Sequence, residues 1–152
     1  MDLIHFLETE GDQIIDEAAE ALNRSNLSRY NEAGPNVSRE RLAELFRLML
    51  IGIRERNLTP IIEYMNQVAR ERYHAGYAIR EVQIAINVLE EAIWTHVVRV
   101  IPPDQLAEAL GLVSTALGAA KDTLARTYVT LAGESKAPSL DLSALFEGKT
   151  SG

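Results

Sequence analysis

The sequence predicts an all-α protein, and two observations carry that prediction. Apolar residues recur at three- and four-residue spacing along almost the whole chain, the period of a helix with one buried face. No stretch of four or more residues alternates apolar and polar between hairpin turn signals, as a strand would. The chain has 152 residues, 47% hydrophobic and 24% charged. That is the size and composition of one globular domain able to bury a real core.

Five helices are expected, in a bundle that closes on a long C-terminal helix with a heptad pattern. In the first, Leu3, Ile4, Leu7, Ile14, Ile15, Ala18 and Leu22 share one face, and Gly11 reads as a weak point or kink. Residues 23–36 read as a loop, with Asn26, Ser28, Asn31 and the Gly34-Pro35 turn signal. Ser38 is placed to cap a second helix, with Leu42, Leu45, Phe46, Met49 and Ile53 as its stripe and Arg56-Asn57 as its end. Thr59-Pro60 opens a third, because Thr offers a capping oxygen and proline at the first helical position forgoes no needed hydrogen bond. Its inner face is Ile61, Met65, Val68 and Ala69, and Gly76 is the expected left-handed stop.

The fourth helix, residues 79–101, is apolar over much of its circumference and is expected at the centre of the bundle. Pro102-Pro103 ends it, and the second proline with Asp104 opens the fifth, which should stop at Gly133. Residues 1–132 are thus expected as a helical domain and 133–152, rich in Gly, Ser, Lys and Pro, as a tail. Within that tail Leu142, Leu145 and Phe146 would share one helical turn. They are either a docking segment or part of a disordered or back-packed end.

The fifth helix has the most regular pattern. Leu106, Leu110, Val113, Leu117, Ala120, Leu124, Thr127 and Leu131 follow one another at spacings of four and three, a seam suited to a neighbouring helix at a shallow angle. That neighbour is either within the chain or across a two-fold axis. Gly111 and Gly118, with Ala107, Ser114 and Ala125, would allow a close helix approach.

Several chemistries are excluded. The chain has no cysteine, which removes disulfides, thiolate metal sites and cysteine nucleophiles. Net charge is -7. Residues 1–23 hold seven acids and no Lys or Arg, and no basic face is available to neutralise a nucleic acid. The acids form either the solvated side of the first helix or an acidic docking surface. The apolar run at 92–101 is too short and too interrupted to span a bilayer, and the N-terminus opens with Asp2 and lacks the basic flank of a leader, so a cytoplasmic protein is expected.

No nucleophile motif, phosphate loop or paired metal motif occurs. Glu71-Arg72-Tyr73-His74 supplies a single Glu-x-x-His, whereas a di-iron bundle needs two such motifs. No cofactor is expected. The competing reading is a small-molecule or haem carrier in which Tyr64, Tyr73, His74, Asn87, Trp94 and His96 line a ligand pocket, set against the plainer reading that the aromatics fill the core.

The stretch from Ala69 to Trp94 carries a resemblance. A helix rich in arginine, with Arg70 and Arg72, runs to Gly76, and Tyr77, Glu81 and Val82 then open a long helix that closes on Trp94. This resembles the N-terminal domain of the RsbR and RsbRD co-antagonists of the bacterial stressosome. The resemblance implies a non-catalytic helical sensor domain, globin-like or of a related arrangement, dimeric in its relatives and concerned with stress signalling. In those relatives an output domain follows. Here a tail follows Ala132, so the expected mode of action is a homodimer working on a signalling partner protein in trans.

Overall fold

A computed structural model of the chain describes residues 2–136. The helices are α1 (Leu3–Arg24), α2 (Ser28–Ala33), α3 (Pro35–Glu55), α4 (Thr59–His74), α5 (Ile79–Val100) and α6 (Pro103–Lys136). There is no strand among the described residues. None of these helices is long and apolar enough to cross a membrane.

Among the described residues six helices stand where five are expected, because residues 28–33 close a short helix inside the expected loop. The Gly34-Pro35 pair is the break itself. Gly34 has φ +92°, a conformation that costs glycine little, and Pro35 opens α3 at its first turn. Ser38 is therefore not the cap of that helix. It lies inside α3, 2% exposed, with its N–H donated to the Gly34 carbonyl at 3.2 Å.

The other boundaries have clear physical causes. Arg56, at φ 52°, turns the chain out of α3, and Asn57 Oδ1 accepts the Thr59 N–H at 3.1 Å at the head of α4. Gly76, at φ +85°, ends the turn after α4. Glu81 reaches back to accept the Ala78 N–H at 3.3 Å, satisfying a free donor at the start of α5. Ile101 is extended before Pro102, as the proline ring requires. Gly133 does not stop α6, which continues to Lys136 and, at about 1.5 Å per residue, is roughly 50 Å long. The tail segment with Leu142, Leu145 and Phe146 lies outside the described residues.

Helix α1 packs on α3 and α5, and α6 packs on α4 and α5, so α5 stands between the two halves. Gly11 is a point of close approach, since a Cβ there would lie 3.0 Å from Phe46 Cε1 of α3. The core is one cluster in which Leu7, Ile14, Met49, Ile61, Leu89 and Ile93 are almost fully buried.

On α6 the leucine seam faces inward. Val113, Leu117 and Leu124 have no exposed surface in the single chain, Leu131 is buried, and Leu106 and Leu110 are half-buried. Helix α5 lies between the two halves, as expected of a central helix, but is not covered on every side. Val82, Ile86, Leu89, Ile93 and Val97 are buried, but Trp94 is 42% and Val98 54% exposed. Its all-round apolar character thus splits into a core face and a face that the chain itself leaves open.

Candidate functional site

Two features stand out from the core, a polar junction at one end of the bundle and an apolar face along α5 and α6.

The junction is built where α4 turns into α5. The turn folds back on itself: the Tyr77 N–H is donated to the Arg72 carbonyl at 2.9 Å, and the Arg72 guanidinium lies over the Tyr77 ring, 5.4 Å from its centre. Three other helices grip this turn. From α6, the Tyr128 hydroxyl donates to the Tyr77 carbonyl at 2.9 Å. From α3, Arg41 Nη1 donates to the Tyr77 hydroxyl at 3.2 Å. From α2, the Arg29 N–H is donated to Glu81 Oε1 at 3.3 Å, and Tyr30 meets the Tyr77 ring edge-on at 5.2 Å.

Four of the residues that carry the sequence resemblance, Arg72, Gly76, Tyr77 and Glu81, are therefore parts of one joint. Val82 is buried beneath it, whereas Trp94 lies four helical turns away on the open face of α5.

Burial governs the chemistry of the joint. Desolvation pushes the Tyr128 hydroxyl up to about 12 and raises those of Tyr30 and Tyr64, while the Arg72 charge pulls back on all three. These tyrosines are neutral hydrogen-bonding groups at ordinary pH. Tyr73 packs edge-on between the His74 and Tyr128 rings, at 5.5 and 5.4 Å.

The six residues considered for a ligand pocket are dispersed. Tyr64 lines a small cavity beside the junction, and His74 is exposed at the end of α4. Asn87 and Trp94 line an open groove on the outside of α5 with Glu90, Glu91, Thr95 and Val98. His96 points the other way, buried against α1, with Nε2 2.8 Å from Glu17 Oε2 and Nδ1 3.9 Å from Glu10 Oε2. Part of the acidic first helix is thus occupied with His96, and Asp16 pairs with Arg39 at 2.7 Å. Among the described residues no group of three or more His, Asp or Glu is arranged to hold a metal ion.

Helix α6 packs against α5 and has an outward stripe of its own. On α5 the outward positions Ile84, Asn87, Glu91, Trp94 and Val98 are spaced three and four apart. On α6 Gly111, Ser114, Gly118, Lys121 and Ala125 follow the same spacing on a second stripe, distinct from the buried leucines. An ion pair between Lys121 Nζ and Glu90 Oε1, at 2.5 Å, joins the two helices. A Cβ added at Gly111 or Gly118 would meet no atom within 4 Å, so nothing inside the chain requires glycine there. Sequence reasoning noted the glycines and Trp94 separately. Periodicity within one helix does not say which faces of two helices adjoin.

Residues 12–134 match the family described as RsbT co-antagonist protein rsbRD N-terminal domain. The chain belongs to this family. No curated protein and no solved structure matches it. The match spans the last half of α1 through nearly all of α6, so the junction and the open α5–α6 face both fall within the RsbRD N-terminal domain. It identifies a stressosome-type regulatory input domain and supports a link to stress signalling.

Proposed function

We propose that this RsbRD N-terminal domain is a non-catalytic sensory module that forms a homodimer through the outer faces of α5 and α6 and passes its state to a signalling partner protein in trans. The observation that carries the dimer is the exposed Trp94–Val98 pair on α5 together with two glycines on α6, Gly111 and Gly118, that have open space above them. Glycine within a helix costs about 1 kcal/mol relative to alanine. Two such residues on one face, with no contact inside the chain to explain them, favour a second helix that approaches closely. Two large apolar side chains exposed one helical turn apart favour the same partner. The leucine seam of α6, being filled by the chain's own helices, is available for transmitting a shift of α6 relative to α4 and α5.

In this reading a signal acts by favouring one arrangement of the bundle over another, and the dimer presents the difference. The domain name of the family points to an RsbT-like protein as the kind of partner. Affinity capture with wild-type protein and with Trp94→Glu tests the scheme. Wild type is expected to be dimeric and to retain the partner, and the variant to be monomeric and to release it. A variant that stays folded, loses the dimer and keeps the partner unchanged would separate the two and refute the coupling.

A further inference from the structure

A cavity of about 30 Å³ lies beside the junction, lined by Tyr30, Arg41, Tyr64 and Arg72 over a floor that includes Val82 and Ile86. Two guanidinium groups border it, and no carboxylate does. Arg72 is only 7% exposed; its guanidinium hydrogen-bonds the Tyr30 side chain, but its Nε has no hydrogen-bond partner. A buried charge is ordinarily paired, because its desolvation otherwise costs several kcal/mol.

None of the nearby carboxylates borders the cavity or reaches the Arg72 Nε. Glu81 gives its two oxygens to the Arg29 and Ala78 amides. Glu44 is held by Arg47, at 2.6 and 3.1 Å, a pairing that keeps its carboxyl below the usual range. Glu71 stands 3.7 Å from Arg72 Nη1, beyond hydrogen-bond range, on a side chain that is 57% exposed. The charged groups that border this small space are therefore the two guanidinium groups, with tyrosine hydroxyls beside them on its wall.

We infer that this cavity is a binding site for a small monovalent inorganic anion of halide size, held between Arg72 and Arg41 with the Tyr30 and Tyr64 hydroxyls as additional donors. The volume admits one or two water-sized occupants and no larger oxyanion. An anion there gives the buried Arg72 Nε the partner that it lacks, and it does so at the point where α2, α3, α4 and α5 meet. The inference goes beyond the dimer and does not depend on it.

Bromide is the probe. The full chain is placed in sodium gluconate, whose anion is too large for the cavity, and bromide is substituted at constant ionic strength while thermal unfolding is followed. The wild-type midpoint is expected to rise by several degrees, in the logarithmic manner of a single site, once bromide exceeds its dissociation constant about a hundredfold. Arg72→Met, which keeps length and removes charge, is expected to abolish the rise. Arg41→Gln, at a half-buried position, is expected to weaken it at least tenfold in bromide concentration and serves if Arg72→Met does not fold. Anomalous scattering from crystals grown in bromide should place the ion in contact with both guanidinium groups. The inference is overturned by a midpoint that responds equally in wild type and Arg41→Gln. Bromide peaks confined to the surface, an adventitious ion only, with water in the cavity overturn it too.

Discussion

Removal of a single oxygen at Tyr128 probes the joint that holds α6 to the α4–α5 turn. In Tyr128→Phe the ring keeps its packing against Tyr73, but the Tyr77 carbonyl loses the donor that now lies 2.9 Å away. Leaving a buried acceptor unpaired costs about 1–2 kcal/mol, which for a domain of this size lowers the unfolding midpoint by roughly 3–8 °C. The variant also changes the response to alkali. The folded hydroxyl titrates at about 12 against an ordinary value of 10.0, so the folded state holds that proton more tightly than the unfolded chain does. Its stabilising contribution is complete below pH 10 and declines as pH rises towards 12. Tyr30 and Tyr64 are raised as well, but they are present in both proteins and drop out of the comparison. Urea unfolding of the two proteins from pH 7 to pH 11 is the assay. Wild type is expected to be the more stable at neutral pH, with a gap that narrows above pH 10. Equal stability at pH 7, or a gap that does not change up to pH 11, would refute the assigned role of Tyr128.

Gly118→Leu separates folding from assembly. Its side chain has open space within the chain, so the isolated subunit should gain about 0.5–1 kcal/mol of helix stability while the dimer weakens at least tenfold, measured by denaturation at low concentration and by sedimentation. Gly76→Ala forces a side chain into φ +85° and to 3.0 Å from Arg29 Nη2, and a loss of about 1–2 kcal/mol is expected in chemical denaturation. Leu124→Ala empties a site with no exposed surface in the leucine seam, and a loss of about 2–5 kcal/mol in the same assay distinguishes a core residue from one reserved for a partner subunit.

The sequence was a good guide to helices and a poor one to the relations between them. Caps and breakers act locally, so Thr59-Pro60, Arg56-Asn57, Gly76 and Pro102 mark ends that the structure also has. Ser38 misled because the nearby Pro35 is the stronger initiator and the Gly34 conformation places it there. Gly133 misled because glycine in an open helical position imposes no stop. The heptad of α6 was legible as a seam, but its partner was not, since a leucine row is equally compatible with a helix of the same chain or of another. The junction was visible only as a motif. That Arg72, Tyr77 and Glu81 meet Arg41 and Tyr128 depends on three helices distant in sequence, and no spacing rule reports such a meeting. The ligand set drawn from Tyr64, Asn87, Trp94 and His96 assumed that aromatic and polar residues on neighbouring helices converge, whereas α5 turns His96 towards α1 and Trp94 outwards.

The central claim is that the α5–α6 face meets a second copy of itself, and the absence of cysteine from the chain makes it directly testable. Single cysteines are introduced at Gly111, Gly118 and Ala125, with Ile62→Cys on the exposed side of α4 as control, and mild oxidation is followed by non-reducing electrophoresis. Residues that face each other across a close helix crossing come within the roughly 7 Å between Cα atoms that a disulfide needs. At least one α6 position is expected to cross-link rapidly and nearly completely to a species of twice 16.8 kDa, with the control remaining monomeric. Cross-linking at Ile62→Cys as fast as at all three α6 positions, or none at any of them, would contradict the account.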